Sequence, residues 1–300
     1  MKKANGASVE GPRSGNAPKE GIADKNAFSI HFWGVRGTIP CAASSTLRYG
    51  GNTACVEMRC GQQRLIFDAG TGLRQLGREM VSNGRPIRSH LFFTHTHMDH
   101  VIGLPFFRPA YDQRNSFEFW SGHLTGQGRR LAEVLDQLMQ PPFFPVPLDI
   151  MHACIAFHDF VPGEPIPIGD GVLVRTAALN HPGGAIAYRV EFAGHAACYV
   201  TDTEHVPDEP DRAILDLIAG ADVVIYDATY TDEEFERFHG WGHSTWQEGI
   251  RLCEAAGARQ LIAFHHDPDH DDDALDRIAA AMQTRRSGSL VAREGLVITL

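Results

Sequence analysis

Three imidazoles and one carboxylate fall within the six residues His95-Thr96-His97-Met98-Asp99-His100. They follow directly on a short apolar segment, Ile87–Thr94, that is β-prone and too brief for a helix, so it reads as a buried strand ending where the polar residues begin. His95 and His97, two apart, project from one side of an extended chain end. Asp99 and His100 sit where the chain turns into the next element and can aim elsewhere. One such loop can hand ligands to two metal ions a few ångströms apart. Neutral imidazole and carboxylate are what Zn²⁺ and similar ions accept, and a catalytic site leaves positions open for water. A lone histidine would read as a solvated or satisfied core residue, but four ligand-type residues at this spacing favour a metal site.

The other candidates also lie just past apolar strands, where α/β proteins place their sites. His181 follows Leu179-Asn180 and precedes Pro182-Gly183-Gly184; Asp202 follows Tyr199-Val200-Thr201; His265 and His266 follow Leu261-Ile262-Ala263-Phe264. Together with the first loop they suit a binuclear site with seven ligands.

The elements that must position these residues alternate between strands and helices. Strands are expected at 28–32, 54–59, 65–67, 87–94, 116–120, 151–158, 172–178, 186–192, 196–201, 223–226 and 260–264, with closing strands near Leu290 and at 296–300. Helices are expected at 72–81, 100–106, 128–139, 211–219, 244–256 and 272–284. Strand-rich stretches with helices between them suggest two packed sheets with helices on the outer faces. The Pro-rich Pro141-Pro142-Phe143-Phe144-Pro145-Val146-Pro147 cannot be regular helix or central strand and reads as a stiff apolar loop lining a cleft or packed on the body. No linker divides residues 27–300, read as one domain, whereas Met1–Asn26 has almost nothing to bury and reads as a disordered tail.

Composition excludes several classes. Apolar content of 43% with 21% charged residues is ordinary for a globular protein. No secretory signal or membrane span is legible, so a cytoplasmic protein is expected. The net charge is −10 and no basic run occurs, which counts against a long nucleic-acid substrate but leaves a small anionic one open. Six cysteines without a Cys-x-x-Cys pair indicate neither a disulfide scaffold nor a structural zinc site.

The His-x-His-x-Asp-His loop, with the three later strand-end ligands, resembles the metallo-β-lactamase superfamily over Phe28 to Leu300. The resemblance implies an αββα sandwich with His95, His97 and His181 on one metal, Asp99, His100 and His265 on the other, and Asp202 bridging. His265 rather than His266 matches the family's last motif. Asp68, in Leu65-Ile66-Phe67-Asp68-Ala69-Gly70, matches the early aspartate that supports the metal loop from behind the ligands. His97 stands where the di-iron oxygen-reducing branch has Glu, and Asp202 where true β-lactamases have Cys. The segment ending Tyr226-Asp227-Ala228-Thr229 and the sequence Gly242-His243-Ser244-Thr245 are similar to the ribonuclease Z pair in which a carboxylate orients a proton-donating histidine; the equivalent pair is Asp227 and His243.

No long Gly/Pro-rich arm for tRNA is present, so the pattern looks closer to small-substrate phosphodiesterases, some of which cleave cyclic nucleotides. Such an enzyme would use a hydroxide held between two divalent ions, Zn²⁺ by default with Mn²⁺ or Fe²⁺ as alternatives, with Asp99, Asp227 and His243 in the catalytic machinery. Arg36 or Arg48 could meet the phosphate, or could be structural. A thioester or lactone hydrolase with the same metals and a non-catalytic metal- or ligand-sensing protein are the competing readings. A homodimer would be in keeping with this branch.

Overall fold

A period of two along the strands divides their side chains between two layers. In the computed structural model, which describes residues 25–300 apart from Asp170, this division builds two seven-stranded sheets. The expected tail lies, through residue 24, outside the described residues.

The first half of the chain forms β1 (Phe28–Gly34), β2 (Cys55–Cys60), β3 (Gln63–Phe67), α1 (Gly72–Met80), β4 (Arg88–Phe93), α2 (Met98–Val101), β5 (Ser116–Ser121), α3 (Leu131–Leu138) and β6 (Cys154–Asp159). The second half forms β7 (Ile166–Ile168), β8 (Val172–Leu179), β9 (Ala185–Phe192), β10 (His195–Val200), α4 (Arg212–Ile218), β11 (Val223–Asp227), α5 (Asp232–Phe235), α6 (Trp246–Ala256), β12 (Gln260–Phe264), α7 (Asp272–Arg285), β13 (Leu290–Val291) and β14 (Val297–Thr299). The first sheet runs β14-β1-β2-β3-β4-β5-β6 and the second β13-β12-β11-β10-β9-β8-β7, so the last strand closes the edge of the first sheet. Both sheets are mixed: β3 to β6 and β10 to β13 are parallel neighbours, and the remaining pairs are antiparallel.

Between the sheets, Phe67 and Phe92 meet Tyr188, Tyr199, Ile225 and Phe264 in one buried layer. Odd positions of β11 (Val223, Ile225) face that layer, while Val224 and Tyr226 face the helices. On the outside of the second sheet, α7 contributes Leu275, Ile278 and Met282, a helical i, i+3, i+7 stripe. On the outside of the first, α1 contributes Leu73, Leu76 and Met80 at the same spacing. The arrangement is the αββα sandwich expected from the sequence. Among the described residues no helix is long and apolar enough to cross a membrane.

Several elements differ from expectation for local reasons. The helix expected at 100–106 is a single turn at Met98–Val101 followed by two 3₁₀ turns, because Pro105 and Pro109 offer no N–H to continue it. Gly103 also lies against the backbone of Gly70, where a Cβ would come within 1.9 Å of the Gly70 carbonyl oxygen. The expected helix at 128–139 begins only at Leu131, since Gly128 is left-handed (φ 65°). Strand β7 is not among the expected strands because it contains Pro167; at the sheet edge a residue without an N–H is tolerated. The one-turn α5 was too short to show a period; Thr231 and Glu234 cap it reciprocally. In the 141–147 loop Phe143 is 84% exposed, while Phe144 packs on the outer-face core of the first sheet and edge-on to Phe106.

Candidate metal centre

The strands deliver their polar residues to one end of the sandwich. Strands β3, β4, β10, β11 and β12 end immediately before or at Asp68, the His95 loop, Asp202, Asp227 and His265. Strand β8, antiparallel to β9 as β9 is to β10, runs with β10 and brings His181 to the same end. Cross-links between the sheets hold these ends together: Ile186 N donates to Thr94 O (3.0 Å) and Tyr188 Oη to Phe93 O (2.6 Å). Asp68, Asp202 and His265 all adopt left-handed backbone, with φ of 60–61°. Asp and His accept this region better than most residues, and it makes the strand stop abruptly with the side chain turned into the site.

Two groups result. His95, His97 and His181 present ring nitrogens within 4.8 Å of one another, and the ring nitrogens of His100 and His265 lie equally close to each other and to carboxylate oxygens of Asp99 and Asp202. His97 Nδ1 is 3.1 Å from His181 Nε2; His100 Nε2 is 3.2 Å from His265 Nε2 and from Asp99 Oδ2. Asp202 faces both groups: Oδ1 is 3.8 Å from His95 Nε2 and His181 Nε2, and Oδ2 is 3.2 Å from His100 Nε2 and 3.4 Å from His265 Nε2.

These residues fit a pair of cations. Tetrahedral ligands at zinc distances stand about 3.3 Å from one another, close to the separations found. His95 Nε2 is buried with no hydrogen-bond partner, which a ligating role would resolve. Burial lowers the affinity of His95, His97 and His181 for protons, keeping them in the neutral form that binds metal. Burial acts the same way on His100, but Asp202, Asp99 and Asp68 outweigh it and favour the charged ring. Burial would raise the Asp99 carboxyl, yet His100 and His265 hold it well below its usual range. The carboxylates of this pocket therefore call for positive charge.

The far nitrogen of each of four imidazoles is held. His100 Nδ1 donates to Asp68 Oδ2 (2.8 Å), and Asp68 also accepts from Thr94 N and Oγ1 and from Tyr199 Oη. His95 Nδ1 donates to Thr94 Oγ1 (3.0 Å), His181 Nδ1 to Gly242 O (2.7 Å) and His265 Nδ1 to Thr229 Oγ1 (3.2 Å). Such partners fix the tautomer and aim the opposite nitrogen into the cluster. His266 turns away: its Nε2 lies 2.8 Å from Ala292 O, and burial pulls its pKa down to about 3.

Beside the cluster, His243 Nδ1 is 3.0 Å from Asp227 Oδ2, and the ring stacks on His265 at 4.9 Å. Asp227 is fully buried and fixed by Thr203 N and by the backbone and hydroxyl of Thr229. Burial opposes a charged His243, but Asp227, by charge and hydrogen bond, and Asp202 raise its pKa to about 9. Tyr226 points the other way, its Oη 3.0 Å from Ser244 Oγ, so it does not disturb the pair.

The β-lactamase superfamily domain model matches residues 63–266, which span the seven ligand-type residues together with Asp68, Asp227 and His243. The chain belongs to that superfamily. The ribonuclease Z of Haloferax volcanii is 24% identical over 311 aligned positions, covering 88% of this chain and 92% of that protein. Among solved structures, the metallo-β-lactamase fold protein YhfI of Bacillus subtilis superposes with a TM-score of 0.67 at 18% identity, covering 92% of this chain and 100% of that one. Zn²⁺-bound PqqB of Methylobacterium extorquens gives 0.66 at 17% identity, covering 91% and 100%. The superfamily is thus the one to which the loop motif pointed, and the ribonuclease Z similarity agrees with the branch read from the segments carrying Asp227 and His243.

Of the two roles open to Arg36 and Arg48, the structure shows the structural one. Arg36 is fully buried, and its guanidinium donates to the carbonyls of Gly50 (2.9 Å), Asp267 (3.1 Å) and His270 (2.6 Å). Arg48 pairs with Asp272, Asp273 and Asp276 at the start of α7. Both side chains are committed elsewhere than the cluster: Arg36 ties the 34–53 segment to the carbonyls of Asp267 and His270, and Arg48 meets the carboxylates that open α7. Sequence reasoning missed Thr38, whose N–H donates to Asp99 Oδ2 (2.8 Å), and Glu204, which accepts from Gly240 N and Gly242 N. It also missed His123, whose Nε2 lies 3.1 Å from Thr96 Oγ1 within the metal loop. Only the position of Glu204 two residues past Asp202 could have signalled any of them.

Proposed function

We propose that the protein is a metal-dependent phosphodiesterase acting on a small phosphodiester. The observation that carries this reading is the buried Asp227–His243 pair against the ligand cluster, a proton donor beside an electrophile site. His95, His97 and His181 would hold one divalent cation and Asp99, His100 and His265 the other, with the two oxygens of Asp202 between them. When bound, such a pair activates water near neutral pH and neutralises charge on phosphoryl oxygens. Asp68 and Gly242 O keep His100 and His181 in the ligating tautomer. His243, whose charged form Asp227 favours by charge and hydrogen bond, would hold a proton for the departing alkoxide, a contribution of roughly 10²–10⁴-fold. The net charge of −10 supports a small substrate over tRNA. Nitrogen-rich donors support Zn²⁺, in line with the metal named for PqqB, though Mn²⁺ and Fe²⁺ suit the same set.

A thioester or lactone hydrolase would use the same ligands, so the test compares substrates. The protein, with its metal content measured, is assayed on bis(p-nitrophenyl) phosphate, 2′,3′- and 3′,5′-cyclic nucleotides, thioesters and lactones. Diester turnover lost on chelation and in Asp202→Ala is expected. Turnover of thioesters or lactones alone would overturn the reading.

A further inference from the structure

Three large apolar side chains stand exposed on segments that carry site residues: Ile39 beside Thr38, Met98 between His97 and Asp99, and Trp241 beside Gly242. Trp241 has a support the others lack. It is 64% exposed, yet both flanking glycines are left-handed (φ 86° and 84°) and both donate their N–H groups to Glu204, at 2.8–2.9 Å. Glu204 is itself anchored, its N–H donating to Asn180 O and its carbonyl accepting from Asn180 Nδ2, each at 2.8 Å. The indole meets Phe238 edge-on at 5.5 Å, Phe238 stacks on Tyr230 at 4.7 Å, and Tyr230 faces the His243 ring at 6.1 Å. A carboxylate and two glycines in one fixed geometry are a costly way to hold a side chain that most of its surface leaves in water. What they hold is a rigid flat ring, one residue from the carbonyl that aims His181 and two from His243.

We propose that Trp241 is a stacking platform for a planar base carried by the substrate on its leaving-group side, which makes a nucleoside-type phosphodiester the substrate class. Its chemistry rests on the phosphodiesterase reading; its binding does not. Every base has a π face, so the platform selects for a base over none and discriminates little among bases. Stacking of one base on an aromatic ring contributes about five- to a hundred-fold in affinity.

The test titrates the metal-loaded protein with adenosine 5′-monophosphate and with ribose 5-phosphate, which differ only in the base. The nucleotide is expected to bind about ten-fold tighter or more. Trp241→Ala should remove that advantage while leaving ribose 5-phosphate affinity unchanged, and Trp241→Phe should retain most of it. Equal affinity for the two probes, binding of neither, or an advantage that survives Trp241→Ala overturns the platform. A base-dependent affinity that Trp241→Ala abolishes, found with no diester hydrolysis, would keep the platform and remove the reaction. Hydrolysis without base dependence would do the reverse.

Discussion

At the scale of single residues, the imidazoles of the cluster are aimed by groups that never enter it. Asp68 accepts from His100 Nδ1 while Thr94 and Tyr199 hold the carboxylate in turn. Replacing Asp68 with Ala is expected to weaken metal binding by roughly 10–100-fold, measured by competition with a chromophoric chelator. Unchanged affinity would show that His100 is oriented by packing alone. The two arginines give a second comparison. Arg36→Ala leaves three carbonyls without their donor, the His270 one buried, and should destabilise the fold by about 2–3 kcal/mol, seen as a lower Tm. Arg48→Ala should leave both Tm and KM nearly unchanged, whereas a large rise in KM would return Arg48 to the substrate. The ligand-type residues were legible because each group of them follows a strand in sequence. Their orienting partners were not, since Thr229 lies 36 residues from His265 and Gly242 lies 61 from His181. Local pattern carries no record of such meetings.

At the scale of elements, strand ends and tight turns do the positioning. The parallel strands stop at Asp68, Asp202 and His265 by entering left-handed backbone, which the residue types permit but do not announce. The 240–243 turn is equally constrained. A Cβ on Gly242 would sit 2.4 Å from His181 Nδ1 and from Pro182 Cδ, at a φ of 84°. Gly242→Ala should therefore displace His181 and reduce bound metal, with circular dichroism unchanged; full metal occupancy would mean that the turn adjusts freely. Strands with strict alternation and helices with an i, i+3, i+7 stripe were readable. One-turn helices, 3₁₀ turns set by Pro105 and Pro109, and the proline-bearing edge strand were not, because periods need length to show.

For the whole molecule, each sheet supplies part of the cluster: the first gives His95 to His100, the second His181, Asp202 and His265. Cations bound there would tie the sheets together and stabilise only the folded state. Chelation should lower Tm and zinc should restore it, by about 4 kcal/mol when free metal is a thousand-fold above its Kd. Of the ligands, His100 is the one whose charged form its carboxylates favour, and it must lose that proton on binding, while His95, His97 and His181 gain theirs only below the ordinary histidine range, so metal affinity should fall as pH falls. A Tm indifferent to chelator, with metal demonstrably removed, would contradict this.

Under the proposed function, His243, steered by Asp227, delivers a proton to an alkoxide leaving a phosphorus centre. Its most direct measurement is the leaving-group dependence of turnover in the metal-loaded wild type and in His243→Ala, from p-nitrophenyl to alkyl phosphodiesters. A loss of about 10²–10⁴-fold is expected for alkyl leaving groups and a much smaller one for p-nitrophenolate, which needs no proton. Equal losses on both would contradict it and leave His243 without the role of acid.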